Sequence, residues 1–117
     1  MVARLLELSV YTLAILNTSI ITVDGLYALS TISLSEATRL VQSAEGLDSA
    51  VGHVSSAQIL TELLGAEVCV NRQVFVQTVG QKALIFKLCG RPEEGKILSR
   101  EDIERMGYEF KVLERLA

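Results

Sequence analysis

Apolar runs in the first third of the chain predict two β-strands. Residues 13–16 form an uninterrupted apolar run, which is typical of a buried strand. Asp24-Gly25 is a turn signal, and the chain is predicted to return from it as a second strand over residues 26–32. The chain is therefore expected to begin with a buried strand, a turn and a second strand.

The second half of the chain carries a hairpin pattern. Within residues 72–79, the apolar positions Val74 and Val76 alternate with glutamines. A turn at Gly80-Gln81 then leads into the apolar run 83–86. Two such segments around a short turn predict a β-hairpin.

Three helices are predicted from capping residues, apolar spacing and terminal glycines. Each has a start signal and a glycine stop, and a last strand follows over residues 108–113. In chain order the signals are Ser33 with Glu36 to Gly46, Ser55 or Ser56 to Gly65, and Ser99 to Gly107. These elements predict an α+β protein, with a mixed sheet of about five strands and about three helices packed on it.

Length and composition are those of one small domain with a core. The chain has 117 residues, half of them apolar, and its mean hydropathy is +0.38, which excludes wholesale disorder. We find no internal repeat or linker, so residues 11–117 are predicted to form a single domain. Residues 1–10 are interpreted as an N-terminal extension.

The charge argues against a general binder of nucleic acid. The net charge is −3, so a partner of duplex nucleic acid is not expected. Aromatic residues make up 5%, with no Trp, which disfavours stacking on single strands. Residues 72–100 nevertheless hold six basic residues against two acidic ones, which favours a compact site for a small anion.

The cysteines and the hydropathy profile indicate a cytoplasmic protein. Cys69 and Cys89 each lie in an apolar run and are expected to be buried free thiols in a reducing compartment. One His and no Cys/His cluster predict no metal site and no cofactor. The uncharged segment 9–23 is too short and too polar for a membrane span, and no signal peptide is evident.

His53 is the first candidate for chemistry. It follows Gly52, which allows close backbone approach, and directly precedes a predicted helix N-terminus. Such a terminus offers unpaired N–H groups to a phosphate, and Ser55 and Ser56 could cap the helix or bind the same anion. A His there could act as a general acid or base, and a surface or capping His is the alternative.

Two further segments supply groups that suit a phosphate. In residues 91–96, Arg91 can clamp a phosphate, while Glu94 could fix that Arg or orient a ribose hydroxyl. Asn71-Arg72 adds a further phosphate contact, and Asn17-Thr18-Ser19 ends the first strand. Each also has an ordinary interpretation as a solvated loop or turn.

Taken together, these segments resemble the viral type III anti-CRISPR ring nucleases. Residues 50–56 resemble the family's Ile-Gly-His element with its Ser/Thr helix start, Asn71-Arg72 its Asn-Arg pair, and residues 91–98 its Arg-x-x-Glu-Gly-Lys-x-Leu element. The match runs in order from about residue 13 to the C-terminus. The first loop departs from the family, with Asn17-Thr18-Ser19-Ile20 in place of Asn-Ala-Phe-Ser.

The resemblance implies a two-fold homodimer that cleaves cyclic tetra-adenylate, the second messenger of type III CRISPR defence, without a metal. It implies His53 as the catalytic residue with Arg91 and Glu94 as its partners. The ligand would be contacted by a wider set: Arg72, Asn17, Ser19, Ser55, Ser56 and Gly52. The resemblance fits a viral inhibitor or a cellular relative that switches off the signal.

Two other functions remain compatible with the sequence. The same fold could bind or sense a cyclic oligonucleotide without cleaving it, and it would then bind tightly with no turnover. A protein-interaction role predicts instead an exposed apolar patch and no nucleotide binding. The basic excess in residues 72–100 favours the two nucleotide-binding functions.

Overall fold

A computed structural model describes residues 12–16, 21, 23–73, 75–90 and 99–117, and these ranges hold five strands and three helices. The strands are β1 (Thr12–Leu16), β2 (Tyr27–Ile32), β3 (Gly46–Ser49), β4 (Lys82–Leu88) and β5 (Tyr108–Arg115). The helices are α1 (Leu34–Ser43), α2 (Val54–Leu64) and α3 (Arg100–Met106). The α+β class, the five-stranded mixed sheet and the three helices are confirmed.

The five strands form one sheet in the order β2-β5-β4-β1-β3. Strand β1 runs parallel to both β3 and β4, while β5 runs antiparallel to both β4 and β2. The predicted strand β2 is confirmed, and the sheet order separates it from β1 by β5 and β4. Because β3 and β4 occupy both edges of β1, no edge remains for β2, and β2 pairs with β5 instead.

The hairpin predicted from residues 72–79 and 83–86 is also wrong. Both edges of β4 are occupied, by β1 and β5, and the described residues of 72–79 form no strand. The alternation predicted Val76 to be buried and Gln77 to be exposed, but the reverse is found. Val76 is 48% exposed, whereas Phe75 and Gln77 are each 4% exposed. The amide of Gln77 donates to the carbonyl oxygens of Leu113 and Gln81, both at 2.7 Å, and ties the segment to the sheet.

Burial on two faces explains the apolar run of β1. Leu13 and Ile15 belong to the larger core, where the three helices pack, and Ala14 and Leu16 belong to a smaller cluster with Phe75. All four side chains are fully buried. A central strand with parallel neighbours has no solvent face, so its sequence is continuously apolar.

Helix signals were accurate at most ends. The capping box of α1 is present, with the Ser33 hydroxyl accepting from the Glu36 N–H at 3.1 Å, and Gly65 ends α2 with a φ of 69°. Ser99 and Gly107 bound α3 as predicted. The predicted stop at Gly46 is wrong: α1 ends at Ser43, and Gly46 instead begins β3, a strand too short and too polar to be recognised from its sequence.

The predicted burial of the cysteines is wrong, although both are free thiols. Cys69 lies in the irregular segment after α2, and Cys89 comes directly after β4, and both are exposed. Beside Cys69, Val68 is buried in the core, whereas Val70 on the other side is exposed like the cysteine. As for membranes, no helix in the described part of the chain is both long and apolar enough to span one.

Removing the α1 cap is expected to destabilise the protein measurably. Ser33→Ala deletes the hydroxyl that satisfies the Glu36 N–H, and we expect a loss of about 1 kcal/mol in the free energy of unfolding. Urea denaturation followed by circular dichroism measures this. Ser43→Ala is the matched control, since its exposed hydroxyl only donates to the Arg39 carbonyl, and it should change stability far less. Equal losses in the two variants would contradict the capping role.

Candidate functional site

The carboxyl ends of three strands lie at one edge of the sheet. Strands β3, β1 and β4 are adjacent and parallel, so the chain leaves all three at the same edge. In sheets built from parallel strands, ligands bind at this edge. The loop after β3 carries Gly52 and His53, and the chain also leaves β1 and β4 from here.

Four predicted site residues lie outside the described residues. Asn17 and Ser19 follow β1, and Arg91 and Glu94 follow β4 after Cys89-Gly90. Their assignments stay predictions.

His53 is the N-cap residue of α2. Its backbone is extended, with φ −126° and ψ 135°, and its carbonyl accepts the first helical bond, from the Ala57 N–H at 3.1 Å. Its side chain makes no capping hydrogen bond and is exposed. The imidazole is therefore accessible at a helix end that carries a partial positive charge.

The serines of α2 do not cap the helix. Because His53 occupies the N-cap position, Ser55 and Ser56 fall inside the first turn, and both are half-buried. The helix begins at Val54, one residue before the predicted start. Of the two roles considered for these serines, capping is wrong, and anion binding remains a prediction.

Arg72 is a predicted ligand contact that the fold brings to the His53 loop from a distant part of the chain. Its Nε donates to the carbonyl oxygen of Gly52 at 2.9 Å, one residue before the histidine. The arginine side chain lies against Gly52: a Cβ added there would meet Arg72 Cγ at 3.5 Å, which is ordinary contact. The contact with Arg72 therefore does not require a glycine at this position. The hydrogen bond nevertheless holds an exposed guanidinium beside the N-terminus of α2.

The segment around Arg72 is bonded along the loop that carries His53. The Asn71 N–H donates to the Val51 carbonyl at 2.8 Å, and Val51 and Val70 form a parallel bridge. The Ser49 hydroxyl donates to the Cys69 carbonyl at 2.5 Å. These contacts join residues about twenty positions apart into one layer beside the candidate site.

Gln73 completes this layer and was not recognised from the sequence. Its amide nitrogen donates both to Asp48 Oδ1 at 2.9 Å and to the Ser49 carbonyl at 2.7 Å. From the sequence, Gln73 was interpreted only as a polar position in an alternating strand pattern. Nothing local distinguishes it, because its partners lie 24 and 25 residues earlier.

The basic excess of residues 72–100 is more dispersed than the sequence suggested. Lys82 begins β4 and so lies at the opposite edge of the sheet from the candidate site. Arg100 is paired with Glu104 at 3.2 Å on the surface of α3. Among the described residues, Arg72 is the cation that directly contacts the His53 loop.

An open groove of about 640 Å³ begins next to His53 and runs along α2. Its walls include the apolar Val54 and Val70 together with the acidic Glu62 and Glu67. Two carboxylates in its walls disfavour a phosphate in this groove. Within the described ranges, no cluster of three or more His, Cys, Asp or Glu is placed to hold a metal.

Fold and site together define a class: a small α+β protein with a mixed five-stranded sheet, in which the loop after β3 carries an exposed His53 and is bonded by Arg72. Residues 13–110 match the protein family described as STIV B116-like. The match spans most of the chain, and the chain belongs to this family.

Relatives occur in a bacterium and in viruses. The uncharacterized protein YddF of Bacillus subtilis is 36% identical over 105 residues, which cover 89% of this chain and 97% of YddF. Uncharacterized protein 26 of Sulfolobus islandicus filamentous virus is 36% identical over 85 residues, covering 71% of this chain and 70% of that protein. ORF117 of Acidianus two-tailed virus is 32% identical over 92 residues, covering 77% and 79%.

A solved structure shares the fold. B116 of Sulfolobus turreted icosahedral virus (STIV) matches with a TM-score of 0.71, covering 88% of this chain and 98% of that one. The sequence identity is 23%, so this likeness supports the α+β architecture alone.

Proposed function

We propose that the protein is a metal-independent ring nuclease that cleaves cyclic tetra-adenylate and so switches off type III CRISPR signalling. The observation that carries the proposal is an accessible imidazole, His53, at the N-terminus of α2, with the Arg72 guanidinium bonded to the carbonyl of the preceding residue, Gly52. Support also comes from the sequence resemblance, which implies a catalytic role for His53 and a contact with ligand phosphate for Arg72.

The chemistry is an internal transfer at phosphorus. A ribose 2′-hydroxyl attacks its adjacent 3′-phosphate, the new P–O2′ bond forms, and the P–O5′ bond breaks. The 2′-hydroxyl proton passes to solvent, and His53 as imidazolium donates a proton to the departing 5′-oxygen. The products are linear, with a 2′,3′-cyclic phosphate at one end and a 5′-hydroxyl at the other.

The remaining roles belong to the residues that the resemblance singles out. Arg91 stabilises the charge that develops on the phosphoryl oxygens. Glu94 fixes Arg91 or contacts the ribose. Arg72 holds a ligand phosphate through the terminal nitrogens of its guanidinium, because Nε is already bonded to Gly52. A two-fold homodimer presents one His53 to each of two opposite phosphates of a symmetric ring.

Binding without cleavage is the second candidate function. It is favoured by one observation: the described pair, a helix N-terminus and an anchored arginine, is sufficient to hold a phosphate without reacting with it. In that case the protein would sequester or sense the cyclic oligonucleotide, with Arg72 and the first turn of α2 as the binding surface.

The deciding experiment incubates the purified protein and labelled cyclic tetra-adenylate with excess EDTA. We expect linear products with 2′,3′-cyclic phosphate ends, formed at the same rate with and without the chelator, since the step uses only side chains. Chromatography and mass spectrometry identify the ends. Loss of turnover in EDTA that added Mg²⁺ or Mn²⁺ restores would contradict the mechanism, and tight binding without products would establish the second function.

A further inference from the structure

We infer that Gln73 is a positioning residue for His53, acting through strand β3 and its following loop. The inference rests on the proposed function for its kinetic consequence. Its structural part, that the Gln73 amide sets where the imidazole lies, stands on the hydrogen bonds alone. Gln73 is exposed at the surface and its amide spans two acceptors, Asp48 Oδ1 and the Ser49 carbonyl.

The contact with Ser49 is important because this residue leads into the loop that carries His53. Ser49 is the last residue of β3, and the chain passes from it through Ala50, Val51 and Gly52 to His53. Strand β3 is at the edge of the sheet and has four residues, so it has a paired neighbour on one side only. The outer edge of its carboxyl end is held by the segment that contains Gln73.

Three residues of this segment make hydrogen bonds to β3 and to the loop that follows it. Gln73 bonds at Asp48 and Ser49, the Asn71 N–H bonds at Val51, and the Arg72 Nε bonds at Gly52. Three of the four acceptors are backbone carbonyls, those of Ser49, Val51 and Gly52, and these lie progressively closer to His53 along the chain. Of the side chains that make these bonds, Gln73 alone makes two.

The alternative for Gln73 is a contact that only adds stability. In that case Gln73→Ala would lower the free energy of unfolding and leave the imidazole unaffected in the protein that remains folded. If Gln73 positions His53, the substitution should instead affect the imidazole and the rate more than the stability. A displacement of about 1 Å at a reacting group can cost on the order of a hundredfold in rate, whereas the loss of one surface hydrogen bond has a modest effect on stability.

The test compares Gln73→Ala with Gln42→Ala, a control on the exposed face of α1. His53 is the single histidine of the chain, so its imidazole proton signals are assigned without ambiguity in an NMR spectrum. We expect those signals to shift or broaden in Gln73→Ala and to stay unchanged in Gln42→Ala. With cyclic tetra-adenylate, kcat should fall about tenfold in Gln73→Ala while KM stays within about twofold.

Asp48→Ala is the second variant, and it keeps the test decisive if Gln73→Ala does not fold. It removes the carboxylate acceptor and leaves the bond to the Ser49 carbonyl, so a smaller change of the same kind is expected. Unchanged His53 signals in folded Gln73→Ala, or in folded Asp48→Ala where that variant carries the test, would overturn the inference. A fall in kcat without any change in those signals would also overturn it.

The two proposals fail in different ways. If the wild-type protein binds the ring and does not cleave it, the nuclease proposal fails, and the NMR comparison still decides whether Gln73 positions His53. If the wild-type protein cleaves the ring and both variants match it in rate and in signals, the nuclease proposal stands and the positioning inference fails.

Discussion

His53→Ala is expected to slow cleavage of cyclic tetra-adenylate by about 10²–10⁴-fold, the range typical for losing a general acid. The side chain is exposed and makes no capping hydrogen bond, so its removal should leave the fold and its stability nearly unchanged. Single-turnover rates with enzyme in excess measure the chemical step directly. Affinity for the ring should change only a few-fold, because Arg72 and the helix end remain.

Two comparisons make the His53 result specific. Val54→Ala alters the adjacent exposed side chain and should cleave at the wild-type rate. His53→Asn supplies a residue that caps helices well yet cannot donate a proton to the leaving oxygen, so it should be as slow as His53→Ala while being at least as stable. Wild-type rates in His53→Ala would exclude the histidine as the general acid.

Phe110→Ala is expected to destabilise the protein by about 3–5 kcal/mol. Phe110 is 2% exposed and lies opposite Phe86 across the β4–β5 pair, with ring centroids 5.5 Å apart. Tyr108 completes the cluster, at 5.7 Å from Phe86 and 5.8 Å from Phe110. Small domains have about 5–15 kcal/mol in total, so this one change removes a large share of it.

Chemical denaturation with urea, followed by circular dichroism, measures the loss. Phe110→Leu is the matched variant: it keeps most of the apolar volume, and we expect it to cost roughly 1–2 kcal/mol, consistent with partial filling of the site. A loss below about 1 kcal/mol for Phe110→Ala would show that the neighbouring side chains close the cavity, and that the aromatic cluster is not central to stability.

Local signals predicted most of the elements of this protein. The capping boxes that begin α1 and α3, the left-handed Gly65 and the apolar run of β1 each act within a few residues, so the sequence contains the whole cause. His53 and Arg72 were likewise found from residue type and context. The helix N-terminus that makes His53 interesting is a local feature, and it formed within one residue of where it was predicted.

Pairing and burial depended on the rest of the chain. The sequence of residues 72–79 does not indicate that both edges of β4 are paired with β1 and β5. The residues around Cys69 and Cys89 do not indicate that these two side chains are exposed. The Gln73 contacts belong to the same class, because they join groups 24 and 25 residues apart.

The amino-acid sequence by itself determined, to within one residue, where the three helices begin, where α2 and α3 end and where the buried strand β1 runs, since capping bonds, glycine turns and apolar runs are short-range effects. Only the tertiary structure decided which strands became neighbours, which half of an alternating segment was buried, and which side chains support the His53 loop. A strand has two edges and a loop has limited reach, so these outcomes follow from competition among distant segments, which no local pattern records.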